Sequence, residues 1–435
     1  MANYLWPQAA LFGELMFDLK KTSIASLILL FGLPATAQAP RVGGLVQVWY
    51  SQMMDSNLRH YDTQAFSYHR SFFNASPGFK ENGLTVKRID VRLSGSFSDN
   101  LEYAVMLDPT LYTTSASASP DINTSGSTAS IVLQDVYIKY KMPYNIELQV
   151  GQYKPFQTLD GIVAPADSLF VENTMLGLIF GGRDRGATLS VGFGDKEAFN
   201  GRFYVGAFNG AGKANDPNSQ KDLIARLEMH YGKHHTLGAY TLQGYNALAD
   251  NGSLYVRNFR TLTGADVPSE AEIRDNNDKT TNLGAFYSFQ SDRFQASAEV
   301  ITGLWGRRFP SLAGTTGLTA AREHLDQSFL GYAAQAAYKI NKKHFFLARY
   351  DAMNFNSGSD WYETANPYKL NDVNSTPEFT EITLGYTYVL FPDSYRTANI
   401  KVNYVMRSKN FLRPMPGQTG EQGGDSLVVA FQAGF

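Results

Sequence analysis

The chain has 435 residues, a formal net charge of -2 at pH 7 and no cysteine. The small net charge excludes a global basic field for nucleic acid, and the absence of cysteine excludes disulfide bonds and thiolate metal sites. The hydrophobic and aromatic fractions, 43% and 13%, fit either several soluble domains or one large closed sheet.

The amino-terminal region predicts export. Lys20 and Lys21 precede an apolar run over 24–33, and small residues follow up to Ala37 in an A-x-A pattern, which is the layout of a secretory signal peptide. We expect residues 1–15 to be a non-native upstream extension and residues 16–37 to be the signal peptide. A membrane anchor helix is the alternative, but the apolar run is shorter than the roughly 20 residues that a bilayer requires.

Alternating apolar and polar residues recur throughout the rest of the chain. In the segment 84–97, Val91 and Leu93 alternate with Arg88, Asp90 and Arg92, which predicts a strand with one apolar and one polar face. Sixteen such segments are predicted, at 44–52, 84–97, 101–108, 130–141, 145–153, 186–194, 201–208, 222–231, 235–243, 282–289, 293–303, 328–340, 344–353, 379–390, 397–407 and 425–435.

The connections between these segments alternate in length. Short turns such as 98–100 and 142–145 are separated by long polar stretches such as 244–281 and 354–378. An even number of strands returns both termini to the end with short turns, as in bacterial outer-membrane barrels. We therefore predict an all-β fold, a transmembrane antiparallel β-barrel of about 16 strands over residues 38–435, with short periplasmic turns and long extracellular loops.

Three other architectures explain the pattern less well. A soluble β-sandwich or solenoid would need a second sheet for its apolar face and gives no reason for alternating connection lengths. A β-propeller would show a repeat of roughly 40 to 50 residues, and the sequence has none. A multi-domain α/β enzyme would require amphipathic helices between its strands, which the sequence does not indicate.

The polar face of the strands predicts a pore lining. A barrel of about sixteen strands has a lumen too wide for side chains to fill, so water occupies it. The basic residues predicted to face this water and attract anions are Arg88, Arg92, Lys139 and Arg226. Because Asp90 and Asp135 lie on the same face, these groups could instead pair with one another and only keep the lumen wet.

The connection over 154–186 is too apolar for a loop in water. Its apolar side chains include Leu169, Phe170, Met175 and Phe180. We expect this third long loop to fold into the lumen, narrow it, and bring Arg183 and Arg185 to the constriction. The alternatives are that it packs on a neighbouring subunit or caps the outside of the barrel.

The last segment alternates to its final residue, Phe435, which lies on the apolar face. A terminal aromatic residue of this kind fits the aromatic girdle of a membrane barrel. It also resembles the signal by which barrel assembly machinery recognises its clients, so we expect Phe435 to act in assembly.

Several sequence stretches resemble the phosphate-selective porin O and P family of outer-membrane channels. They are "VKRIDVRLSGSFSDNLEYAVMLD", "LQDVYIKYK" followed by "ELQVGQYKPF", "VENTMLGLIFGGRDRGATLSVGF", and "YVGAFNGAG" followed by "KDLIARLEMHYG". The resemblance implies a sixteen-stranded barrel, commonly a trimer, whose third loop folds inward and whose basic side chains attract anions. By this resemblance, Arg183 and Arg185 match the family's arginine ahead of the sixth strand, and Arg88 and Arg92 match its basic second strand.

The expected function is passive diffusion of small hydrophilic solutes, with phosphate-like anions as candidates for a weak preference. We expect outer-membrane lipid, the assembly machinery and two further copies of the chain as partners, and no nucleic acid, metal or cofactor. The alternative is a closed barrel that binds ligands or adheres through the loops 244–281 and 354–378. An outer-membrane enzyme is disfavoured, because no nucleophile, base and orienting partner occur together in the sequence.

Overall fold

The computed structural model describes residues 40–54, 83–110, 132–195, 198–213, 220–245, 279–310, 324–354, 357, 378–408 and 425–435. The predicted upstream extension and signal peptide lie outside the described residues, as do most of the long loops, including nearly all of 244–281 and 354–378. In the described part of the chain, no helix has the length and apolar character needed to cross a membrane.

Sixteen strands form one closed antiparallel barrel, in which each strand pairs with its neighbours in sequence and the last pairs with the first. The strands are β1 (Arg41–Met53), β2 (Gly83–Ser98), β3 (Leu101–Leu107), β4 (Leu133–Met142), β5 (Ile146–Tyr153), β6 (Asp184–Asp195), β7 (Phe199–Phe208), β8 (Asp222–Tyr231), β9 (His235–Tyr245), β10 (Lys279–Gln290), β11 (Phe294–Pro310), β12 (His324–Lys339), β13 (His344–Asn354), β14 (Glu378–Val389), β15 (Ala398–Arg407) and β16 (Ser426–Gly434). The predicted fold and strand count are confirmed. The largest difference is at β11, which is predicted to end at residue 303 and continues to Pro310.

The two faces of the strands differ in polarity as the alternation predicts. On the outer face, Ile138 and Leu384 expose 51% and 50% of their surface. On the inner face, Thr383 and Asn403 are buried. Apolar side chains that stay exposed all around the outside of a closed barrel suit contact with lipid.

A bulge in β2 interrupts this alternation. The register between β1 and β2 shifts between Gln47 and Val48, so that Lys87 has no partner in β1. Lys87 and Arg88 consequently both face the lumen, where the Lys87 ammonium lies 3.3 Å from Glu172. Strict alternation counted from Arg88 would have placed Lys87 against lipid.

The barrel closes where Phe435 continues the pairing of β16 with β1. The amide of Gly44 donates to the carbonyl of Phe435 at 2.9 Å, and the amide of Phe435 donates back at 3.1 Å. Phe435 shares the outer parity of Phe431, and its ring covers Gly44 so closely that a Cβ there would overlap it. The terminal ring therefore packs on the outer surface of the closing seam.

The third long connection, residues 154–183, is described in full, and we call it the inward segment. It contains one short helix, α1 (Met175–Phe180), which begins where the Thr174 hydroxyl accepts a hydrogen bond from the Gly177 amide at 3.0 Å. Its apolar side chains pack on inner-face residues of the wall. Phe170 lies in a buried cluster with Phe345 and Val389, and Val171 in one with Trp49 and Val428. Because these wall residues face inward on strands from β13 round to β1, the segment occupies the barrel interior.

Candidate pore constriction

Polar wall side chains hold the inward segment against one part of the barrel. Among the backbone contacts, three carbonyls of the segment accept hydrogen bonds from the wall: Gln157 from Arg226, Ala166 from Gln432 at 3.0 Å and Ser168 from Lys401 at 2.6 Å. Three amides donate to the wall: Leu159 to Glu299 at 2.7 Å, Val171 to Asn403 at 2.7 Å and Met175 to Asp351 at 3.2 Å.

 These anchors lie on strands from β8 round to β16, so the segment covers that side of the wall. The inner faces of β2 to β5 stay uncovered and face open space.

Two neighbouring chambers that share part of their lining occupy this open space. The upper chamber, ≈ 340 Å³, lies toward the end with the long loops and is lined by Lys87, Arg88 and Glu172 among others. The lower chamber, ≈ 620 Å³, lies toward the short turns and is lined by Arg92 and Lys139 among others. The residues that line both chambers are Asp90, Lys154, Pro165 and Arg183. These four residues lie where the two chambers adjoin, and we call them the throat.

The throat brings two cations from different elements beside the acidic wall. Arg183, at the end of the inward segment, lies with its Nε 2.6 Å from Asp135 Oδ1. Lys154, the first residue after β5, donates from Nζ to the carbonyls of Gly161 at 2.5 Å and Val163 at 3.4 Å. Burial, with the positive charges of Arg183 and Arg88, lowers the pKa of Lys154 to about 8.

Sequence reasoning missed Lys154 because it lies outside the strands whose parity assigns side chains to the lumen. The available signal was its position between the last residue of β5 and Pro155. Proline lacks the amide that would continue the ladder, so a lysine directly before it marks the point where the chain leaves the wall.

Four of the six predicted basic residues line the passage. Arg183 is at the throat, and Arg88 lines the upper chamber with its Nε 3.8 Å from both Asp90 and Asp108. In the lower chamber, Arg92 donates to the Tyr137 hydroxyl at 3.1 Å, and the Lys139 Nζ lies 3.8 Å from Glu147.

Arg226 does not line the passage, contrary to the prediction. Its side chain is 1% exposed, stacks over Phe286 at 4.4 Å, and lies 2.6 Å from Glu228. Because its guanidinium also donates to the Gln157 carbonyl, it anchors the inward segment instead of meeting solute. Parity alone could not predict that the segment covers this part of the wall.

Arg185 also lies away from the throat, so its predicted place at the constriction is wrong. It shares the outer parity of Leu189 and Val191 on β6. Its guanidinium donates to the Gln152 side chain at 3.0 Å and to the Lys213 carbonyl at 2.5 Å. Successive residues of a strand face opposite sides of the sheet. Arg185 therefore lies on the outer face, although the next residue in the strand faces inward.

The predicted apolar residues of the inward segment hold it in place. Phe170 is 2% exposed and Met175 is 2% exposed, and Leu169 packs beside Phe170. The ring of Phe180 lies 5.2 Å from that of Phe329 on β12. These side chains fill the covered part of the lumen, so their burial fixes the position of the throat.

The lower chamber carries a surplus of positive charge. Its basic lining residues are Arg41, Arg92, Lys139, Lys154, Arg183 and Arg396, and its acidic lining residues are Asp90 and Asp135. Among the described residues, Arg41, Arg92 and Lys154 have no carboxylate within ion-pair distance. A positive field in a narrow water-filled passage raises the local concentration of anions. Within the described ranges, no group of three acidic or histidine side chains is arranged to hold a metal ion.

Comparison with known proteins agrees with this architecture. The family model of phosphate-selective porin O and P matches residues 60–408. Among solved structures, outer-membrane expressed OmpT of Vibrio cholerae is 12% identical, covers 93% of this chain and 99% of its own, and has a TM-score of 0.52. OmpF of Salmonella typhi, in complex with daunomycin, is 11% identical, covers 91% and 97%, and has a TM-score of 0.51. At these identities the likeness shows the fold, and no curated protein matches the sequence.

Proposed function

This chain belongs to the phosphate-selective porin O and P family, and we propose that its channel passes small hydrophilic solutes by passive diffusion with a preference for anions. As a porin of the bacterial outer membrane, it forms its channel with the closed sixteen-stranded barrel. One observation supports the finer proposal: Arg183 and Lys154 line both chambers and so place two cations at the throat.

The arrangement of charges suggests how an anion crosses. It is attracted into the upper chamber by Arg88, passes between Lys154 and Arg183, and meets Arg92 in the lower chamber. Each cation replaces part of the hydration that the anion loses in the narrow passage. Asp90 and Asp135 reduce this attraction, so the preference is moderate and cations still pass.

A further part of the proposal is assembly as a homotrimer, which the family resemblance implies. The apolar outer face of the barrel supplies the surface that subunits would share. Crosslinking of the protein in outer-membrane vesicles should give a ladder that ends at three copies, whereas a single band would contradict it.

Reversal potentials across a planar bilayer in a potassium chloride gradient test the anion preference. Arg183→Gln should shift the zero-current potential toward that of a cation channel, with the anion-to-cation permeability ratio falling about two- to fivefold, as expected for one charge near the ion path. Arg185→Gln is the matched control, because Arg185 lies away from the throat, and should leave the ratio unchanged. A barrel that inserts and never conducts would contradict the proposed channel itself.

A further inference from the structure

The face that the inward segment presents to the lower chamber is apolar. Five consecutive residues of the segment line this chamber, namely Ile162, Val163, Ala164, Pro165 and Ala166. Ala164 is exposed and the other four are half-buried, so none is hidden in the packed part of the segment. Apolar side chains grouped at an aqueous surface commonly mark a place where something apolar binds.

The wall across the same chamber is basic. Arg92 is exposed, and its guanidinium donates to the Tyr137 hydroxyl, with no carboxylate within ion-pair distance among the described residues. Arg41 lines the chamber near the short-turn end and likewise has no such partner in the described ranges. The chamber therefore offers cations on one side and an apolar surface on the other.

We propose that the lower chamber selects small carboxylates that carry an apolar body, such as an aromatic monocarboxylate, over inorganic anions and short polar carboxylates. This inference rests on the proposed channel function and names its favoured class of solute. The guanidinium of Arg92 binds the carboxylate, while Ile162 and Val163 contact the apolar body and remove it from water.

The dimensions and the geometry of the chamber suit such a solute. A space of ≈ 620 Å³ is in the range of sites that hold small organic molecules and is far larger than an inorganic anion needs. The rings of Tyr137 and Phe156 also line it and add flat apolar surface. An inorganic anion could use only the basic side, so the apolar side discriminates between the two classes.

Current block in planar bilayers tests the proposal with benzoate as the probe and acetate as the control for charge. At a fixed chloride concentration, benzoate should reduce the chloride current with a saturable dependence, and acetate at equal concentration should reduce it much less. In the double variant Ile162→Thr and Val163→Thr, a hydroxyl replaces one methyl group of Val163 with little change of shape, and Ile162 becomes a shorter polar side chain. It should raise the concentration for half-block by benzoate roughly fivefold or more.

Two further variants separate the two sides of the chamber. Arg92→Gln should weaken the effects of benzoate and acetate together, because it removes the charge that both use. Ala164→Asn, a neutral polar change at an exposed position that does not pack in the segment, should weaken benzoate block and leave the effect of acetate unchanged, even if the double variant fails to fold. Equal block by benzoate and acetate, or undiminished benzoate block in the Ile162 and Val163 variant, would overturn the inference. Absence of any chloride current would instead contradict the proposed channel.

Discussion

Replacing Arg349 should release the inward segment from the wall. Arg349 lies on β13, and its side chain is 3% exposed. Its Nε forms an ion pair with Asp351 Oδ2 at 2.7 Å, without the geometry of a hydrogen bond. Its Nη1 donates a hydrogen bond to the Glu172 carbonyl at 2.7 Å. Its guanidinium also stacks over Phe170 at 4.7 Å. One side chain therefore contacts the segment through both its backbone and its largest buried ring.

The expected cost follows from these contacts. A hydrogen bond from a charged donor contributes about 1.5 to 3 kcal/mol. Removing one partner of a buried ion pair costs about 3 to 5 kcal/mol, because Asp351 would remain buried beside Glu381 without its cation. Because the two contributions overlap, we take the second figure alone, which corresponds to an increase of about two to four orders of magnitude in the population of the released segment.

The absence of native cysteine provides a clean assay. Ser168 is 7% exposed and lies in the same anchored stretch, so Ser168→Cys should react slowly with a charged thiol reagent in the otherwise unchanged protein. Adding Arg349→Met should accelerate the reaction and increase open-channel noise in bilayer recordings.

The matched control is Arg202→Met. Arg202 also faces the lumen and pairs with Glu147 at 3.4 Å, and its described contacts are to wall and turn residues outside the inward segment. The control should leave the reactivity of Cys at position 168 unchanged. Equal labelling rates of Ser168→Cys with and without Arg349→Met would refute the anchoring role of Arg349, provided that both barrels still resist unfolding by detergent.

Three other predictions concern the throat and the closing seam. As pH rises through about 8, Lys154 loses its proton, so the anion-to-cation permeability ratio should fall between about pH 7 and 9. Lys154→Arg should remove this pH dependence, and a permeability ratio that stays constant with pH in the unchanged protein would contradict the prediction. Asp90→Asn should raise the same ratio about twofold by removing the acid that lines both chambers, and a lower ratio would exclude its role at the throat. Deleting Phe435 should lower the amount of assembled barrel more than Phe431→Ala, with the conductance of assembled channels unchanged, and equal membrane levels would limit Phe435 to packing on Gly44.

The barrel and its two faces could be predicted from the sequence because both depend on a local pattern. A period of two fixes which side chains share a face, and alternating connection lengths fix the direction of each strand. Where a local irregularity breaks the period, the prediction fails. The bulge beside Val48 turns Lys87 inward, and no single residue in the sequence marks that bulge.

The exposure of each inward cation could not be predicted, because it depends on contacts between residues far apart in sequence. Parity places both Arg92 and Arg226 on the inner face, and only the position of the inward segment distinguishes them. The segment covers Arg226 through the Gln157 carbonyl and leaves Arg92 exposed. Lys154 shows the converse, since it reaches the throat from a loop to which strand parity does not apply.

This difference explains how a chain with a net charge of only -2 can form a basic passage. Buried carbonyls require donors, and those of Gln157, Glu172 and Ser168 in the inward segment accept hydrogen bonds from basic side chains of the wall. Arg226, Arg349 and Lys401 supply them from the covered wall, where their charges are held beneath packed side chains. Among the described residues, the cations that solute meets are those of the uncovered wall and the throat. The field along the passage is therefore set by where the segment lies and which charges it leaves exposed, so moving the segment would change selectivity without changing the charge of the chain.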